Sequence, residues 1–277
     1  MNLLIQFLLR LSFGMAAGMA ITSSKKVTSG YFRNHLYVTL GLTTLAAMVS
    51  YAAAPGAFWY CVTAAVMSYV GSVCWLYEMP LAGKMLLVIV MLASLAGALS
   101  QLPQIHQVKR TDPNFRQKYA VLYDESGNEK FPAPDFMLAM GANLAATLTS
   151  GLLLGMTMAA MLLGHWYLTT PTMELVPLRR LIIAMGVTVV LQAIVSALGL
   201  WGELTYANQI NTQWWLFLLL RWLFGIVGVA ILAVMAWQTL KIPNTQSATG
   251  ILYVAVIGTF VGETMSLLLS AESLFPL

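Results

Sequence analysis

Eight runs of mostly apolar residues dominate this chain, at about 3–22, 35–54, 57–77, 82–103, 135–164, 177–201, 213–239 and 248–270. A helix needs roughly 20 such residues to cross the hydrocarbon of a bilayer, where each backbone amide must be paired within its own segment. The runs are continuous and do not alternate in ten-residue pieces, which excludes a β-barrel. The chain therefore reads as an all-α integral membrane protein with eight transmembrane helices, a single polytopic domain over residues 1–277. Composition agrees: 59% of residues are hydrophobic, 9% are charged and the mean hydropathy is +0.78. Soluble domains average ~45–50% apolar and ~25% charged residues, so that class is excluded, and disorder with it.

No basic residue precedes the first run, so it reads as a retained helix despite the small residues Ala17-Gly18-Met19-Ala20. Cys61 and Cys74 lie thirteen positions apart in one run. That is about 20 Å along a helix, too far for a disulfide or a shared metal, and no metal site is expected. The formal charge of +4 is scattered over loops without a basic run, so nucleic acid is not a partner and the bilayer is.

The connections are short, with turns at Ala54-Pro55-Gly56 and Glu78-Met79-Pro80. The exception is the polar loop 104–134, outside the membrane, where Asp124-Glu125-Ser126-Gly127-Asn128 suits a hairpin turn. A polar loop of that length in a compact membrane protein points to docking of other subunits. With eight spans both termini share a side. The short-loop cations Lys25, Lys26, Arg33, Lys84, Arg179, Arg180 and Lys241 all fall on the opposite side. The positive-inside rule then places both termini outward, in a bacterial-type inner membrane.

Gly14-xxx-Gly18 in the first span matches Gly151-xxx-Gly155 in the fifth. Leu45-x-Ala47-x-Val49-Ser50 in the second matches Leu191-x-Ala193-x-Val195-Ser196 in the sixth. These strings suggest a parallel four-plus-four duplication.

Charges inside a span cost ~2.5–3.5 kcal/mol each on insertion scales, so each one asks for a reason. Arg10, Arg221 and Glu263 sit in the first, seventh and eighth spans, all roughly 10–12 Å below the outer surface at 1.5 Å per residue. Asn143 and Gln192 fall at similar depth, and His106 lies at the outer rim. Two readings stand side by side. One is an Arg–Glu pair with amide partners that locks helix packing. The other is a site for a polar head group or a proton, with Glu263 catalytic and Arg10, His106, Asn143, Gln192 and Arg221 binding the ligand.

His35 and His165 lie at inner helix ends, where interfacial histidine is ordinary, so haem is disfavoured. Arg179 and Arg180 are candidates for a lipid phosphate, beside the interfacial string Gly164-His165-Trp166-Tyr167. No Walker loop, dinucleotide fingerprint, HExxH, nucleophile elbow or CxxC occurs, which leaves soluble-type catalysis without a foothold.

In organisation the chain is similar to the membrane anchors of polysulfide- and DMSO-reductase complexes. The likeness is one of architecture: eight helices, outward termini and a quinone site near the outer face. It implies a membrane subunit of a respiratory or other energy-converting complex, with quinone as its cofactor. The alternatives are a non-catalytic structural subunit and a secondary transporter; no helix broken at its midpoint by Gly-Pro supports the latter.

Overall fold

The computed structural model describes residues 1–102, 113–120, 133–170, 173–207, 210–242 and 244–277. Helices α1 (Asn2–Ile21), α2 (Ser29–Ala53), α3 (Pro55–Leu76) and α4 (Pro80–Ser100) come first. The short α5 (Pro113–Lys118) follows, then α6 (Ala133–Thr169), α7 (Val176–Tyr206), α8 (Thr212–Thr239) and α9 (Thr245–Glu272). Eight of these, all but α5, are long and apolar enough to cross a membrane. No strand occurs among the described residues.

The helix ends follow from local chemistry. Pro55 and Pro80 open α3 and α4, where a missing N–H costs nothing. Between them, Glu78 takes a left-handed φ of 54°. The amide of Met79 then donates back to Cys74 O (2.9 Å) and that of Glu78 to Trp75 O (3.3 Å), the paired bonds of a Schellman stop. Asn211 and Asn244 cap α8 and α9, accepting from the amides of Trp214 (2.8 Å) and Ser247 (3.0 Å).

Three boundaries differ from the sequence expectation. Helix α2 starts at Ser29, six residues early, because Tyr31 and Phe32 are buried core residues and Phe32 stacks on Trp75 with centroids 4.1 Å apart. Helix α6 runs to Thr169, so Gly164-His165-Trp166-Tyr167 is helical and packs inward through the buried Tyr167. Helix α7 runs to Tyr206 because its last turns bury Gly199 and Glu203.

Helices α1–α4 form one ring of neighbours and α6–α9 another, in the same order. The rings meet mainly through α1 against α6. These two are the central helices, with 78% and 72% of their apolar windows buried, against 33–44% for the other six. The two glycine motifs form that seam. A Cβ on Gly14 would lie 1.9 Å from Gly151 O, and one on Gly155 would lie 1.9 Å from the carbonyl carbon of Gly14. Backbone thus touches backbone, the small-residue packing used where lipid leaves no hydrophobic drive between helices. The outward faces of the other helices carry exposed Met48, Trp59, Leu81 and Ile257. An apolar belt of this kind suits acyl chains and not water.

Candidate functional site

The glycine seam has a direct consequence one turn away. With α1 and α6 this close, Arg10 reaches across to α6 and α9. Its Nη1 donates to Ser150 Oγ (3.0 Å) and to Glu263 Oε1 (2.7 Å), and its Nη2 donates to Thr147 Oγ1 (3.1 Å). Its Nε donates to Gln6 Oε1 on its own helix (3.2 Å), and Gln6 Nε2 in turn donates to Ala98 O on α4 (2.8 Å). Four helices are tied together by these bonds.

Glu263 is 2% exposed. Its second oxygen lies 4.0 Å from Arg221 Nη1, an ionic contact beyond hydrogen-bond range. Arg221 is 1% exposed. Nη1 donates to Gly262 O (3.2 Å) and Nη2 to Ser196 Oγ (3.4 Å). Ser196 also accepts from Gln192 Nε2 (3.3 Å), whose Oε1 accepts from Thr149 Oγ1 (2.5 Å). One layer of hydrogen bonds, with an ionic contact between Glu263 and Arg221, therefore joins Gln6, Arg10, Glu263, Arg221, Ser196 and Gln192.

Helix α8 departs from regular geometry here. Residues Arg221–Gly228 form a π-helical stretch, a widened turn that recurs at functional sites. It brings Gly225 against Gly262, where a Cβ on either would lie 2.6 Å or less from the other's Cα. No Gly-Pro break marks this distortion in the sequence.

The expected site residues divide. Arg10, Arg221, Glu263 and Gln192 come together. Asn143 sits toward the C-terminal tail, donating to Ala139 O (2.8 Å) and Leu274 O (3.4 Å). It joins the layer through its backbone carbonyl, which accepts from Thr147 Oγ1 (2.9 Å). His106 and the expected hairpin turn at 124–128 lie outside the described residues. Arg179 and Arg180 are at the other end of the second ring; Arg179 Nη2 donates to Leu240 O (2.8 Å), and Arg180 is exposed. His35 Nδ1 pairs with Tyr31 O (2.5 Å), while His165 Nδ1 pairs with Tyr253 OH (3.1 Å).

A second buried carboxylate escaped sequence reasoning. Glu203 is fully buried, with Oε1 2.7 Å from Lys118 Nζ and accepting from Tyr119 OH, and Oε2 accepting from the amide of Leu274 (3.2 Å). Lys118 and Tyr119 come from α5 and its end, so part of the 104–134 loop turns inward. Burial pushes the Tyr119 phenol well above its usual pKa, and the neighbouring Glu203 charge pushes it further. Residues 273–277 fold back into the mouth of the second ring. A Cβ on Gly199 would lie 1.8 Å from Pro276 O, Phe275 stacks by Tyr206, and Trp214 Nε1 donates to Ser273 Oγ (3.2 Å).

The two carboxylates are linked. From Glu203 the bonds run through the backbone of Leu274 to Asn143, then by way of Thr147 and Arg10 to Glu263. The only sequence signal for Glu203 is an acid two residues beyond an apolar run, which reads as interfacial. No protein-family model, curated protein or solved structure matches this chain.

Proposed function

We propose that this chain is the membrane subunit of a respiratory or other redox complex, and that its buried polar layer takes the head group of a quinone. The observation that carries the reading is the layer itself: two guanidiniums, one carboxylate and two carboxamides at one depth in an apolar bundle. A quinone needs donors for its carbonyls, a group that exchanges protons and an apolar surround. Here Arg221 donates to a carbonyl, Glu263 takes the proton, and Gln192 orients the ring from the Arg221 side. His106 is the second candidate donor, and Asn143 links the site to the outer end. The other subunits dock on the 104–134 loop, both termini face outward, and Arg179 and Arg180 face the lipid phosphates of the inner leaflet. The common order of the two rings supports a parallel duplication.

Glu263→Gln tests this in the assembled complex. The variant keeps shape and hydrogen bonding but cannot accept a proton, so turnover with quinol should fall by a factor on the order of 10². Normal turnover would reject the catalytic role.

A second reading has its own observation. Arg10 donates four hydrogen bonds within the chain, and both oxygens of Glu263 face arginines. A structural subunit locked by this layer needs no ligand. Loss of assembly in Glu263→Gln would favour it.

A further inference from the structure

The two arginines of the layer are not equivalent. Arg10 has strong partners on three sides. Arg221 makes two long hydrogen bonds, at 3.2 and 3.4 Å, and its Nε is buried without a hydrogen-bond partner. The indole Nε1 of the next residue, Trp222, is likewise buried and unpartnered. A guanidinium carries five donors in a fixed fork and stays charged in proteins, so it cannot relieve the deficit by losing a proton.

Charge points the same way. Among the described residues, the ion pairs of this layer involve Arg10, Arg221 and Glu263, giving a formal charge of +1 in a nearly solvent-free interior. A neutral acceptor beside Arg221 would satisfy a donor and leave the charge. An anionic oxygen would satisfy the donor and bring the layer to neutrality, and buried charges persist when paired and hydrogen-bonded. The widened turn that begins at Arg221 frees helix α8 from regular geometry at this position.

From these observations we infer that Arg221 is the binding residue for an anionic oxygen group carried on an apolar body. The inference rests on the quinone site proposed above and narrows its ligand to one that is negatively charged while bound. A deprotonated quinol oxygen and a fatty carboxylate share this chemistry.

The test uses the full chain in non-ionic detergent and two pairs of probes. The first pair is a 2-hydroxy-3-alkyl-1,4-naphthoquinone, ionised at neutral pH, and its uncharged 2-methoxy ether. The second is dodecanoate and dodecanol. In the wild type the hydroxynaphthoquinone should bind on the order of tenfold tighter than its ether or more, as a charge-assisted bond requires. Arg221→Gln should abolish that preference. Arg221→Lys, which keeps a charge but lacks Nε–H, should reduce it severalfold, and it carries the test of location if Arg221→Gln does not fold.

Equal binding of the two naphthoquinones would overturn the inference and leave the quinone reading standing. An Arg221-dependent preference for dodecanoate, with neither naphthoquinone bound, would support the anion site and sink the quinone reading. No charge preference in either pair would overturn the inference, as would a preference unchanged in both Arg221 variants.

Discussion

The two rings bury polar groups in different ways. In α1–α4 the buried hydroxyls mostly bond to their own helix: Ser12 to Leu8 O (2.8 Å), Thr39 to His35 O (2.9 Å) and Thr43 to Thr39 O (2.8 Å). Such bonds are local and specify no partner. Among the described residues, α6–α9 hold the two buried carboxylates and the π-helical stretch, and the folded-back tail follows α9. The first ring contributes one charged group to the shared layer, Arg10, held out from the seam. The rings share an order of helices, but among the described residues the buried acids lie in the second. Matching topology therefore need not imply matching chemistry.

The contrast can be broken most severely at its centre. Glu263→Leu should leave two guanidiniums without a counter-charge, and removing one partner of a buried pair costs ~3–5 kcal/mol. A large loss of thermal stability in detergent is expected, and a variant as stable as the wild type would remove the layer from any account of packing. Next in size is the seam. Gly14→Leu must push α1 from α6, and overpacking of this sort costs ~1–3 kcal/mol or more. Thermal unfolding should shift down, and crosslinking across α1 and α6 should fail. If both persist, the two rings are held together elsewhere.

Glu203→Gln should act more locally. Lys118 and Tyr119 would lose a charged partner, at a cost of ~1–3 kcal/mol, and residues 273–277 would open before the helices do. Hydrogen exchange at the Leu274 amide would read this, and unchanged protection would mean that apolar contacts alone hold the tail. The smallest effect is expected in the first ring. Ser94 Oγ is buried and unpartnered, so Ser94→Ala should be neutral or stabilising by a few tenths of a kcal/mol. A clear loss of stability there would show that the first ring also depends on its polar groups.

Arg10, Arg221 and Glu263 were legible because a charge inside a long apolar run breaks a strong pattern, and their shared depth follows from helix rise alone. The two glycine motifs were legible as motifs, but they read as traces of a repeat, while in the fold they are the two sides of one contact. Periodicity cannot reveal which helix a small face meets. Glu203 was hidden for a different reason: an acid at the end of an apolar run looks solvated unless something covers it. What covers it is Lys118, Tyr119 and the 273–277 tail, all distant in sequence and with no local pattern that marks a return. The start of α2 was missed because Ser29–Asn34 is polar in sequence, while Tyr31 and Phe32 among them are buried by tertiary packing.

The pairing of Arg10 with Glu263 also bears on how the protein is made. The two residues are 253 positions apart. At about 5–20 residues per second, the ribosome delivers Glu263 roughly 13–50 seconds after Arg10. Through that interval the first helix carries a cation whose carboxylate has not yet been synthesised; Gln6, one turn away, is beside it from the start, and Thr147 and Ser150 arrive partway through. In a bilayer, α1 would wait at the edge with its arginine reaching for the headgroups, or in the shelter of the insertion machinery. The last helix to emerge supplies the counter-charge for the first.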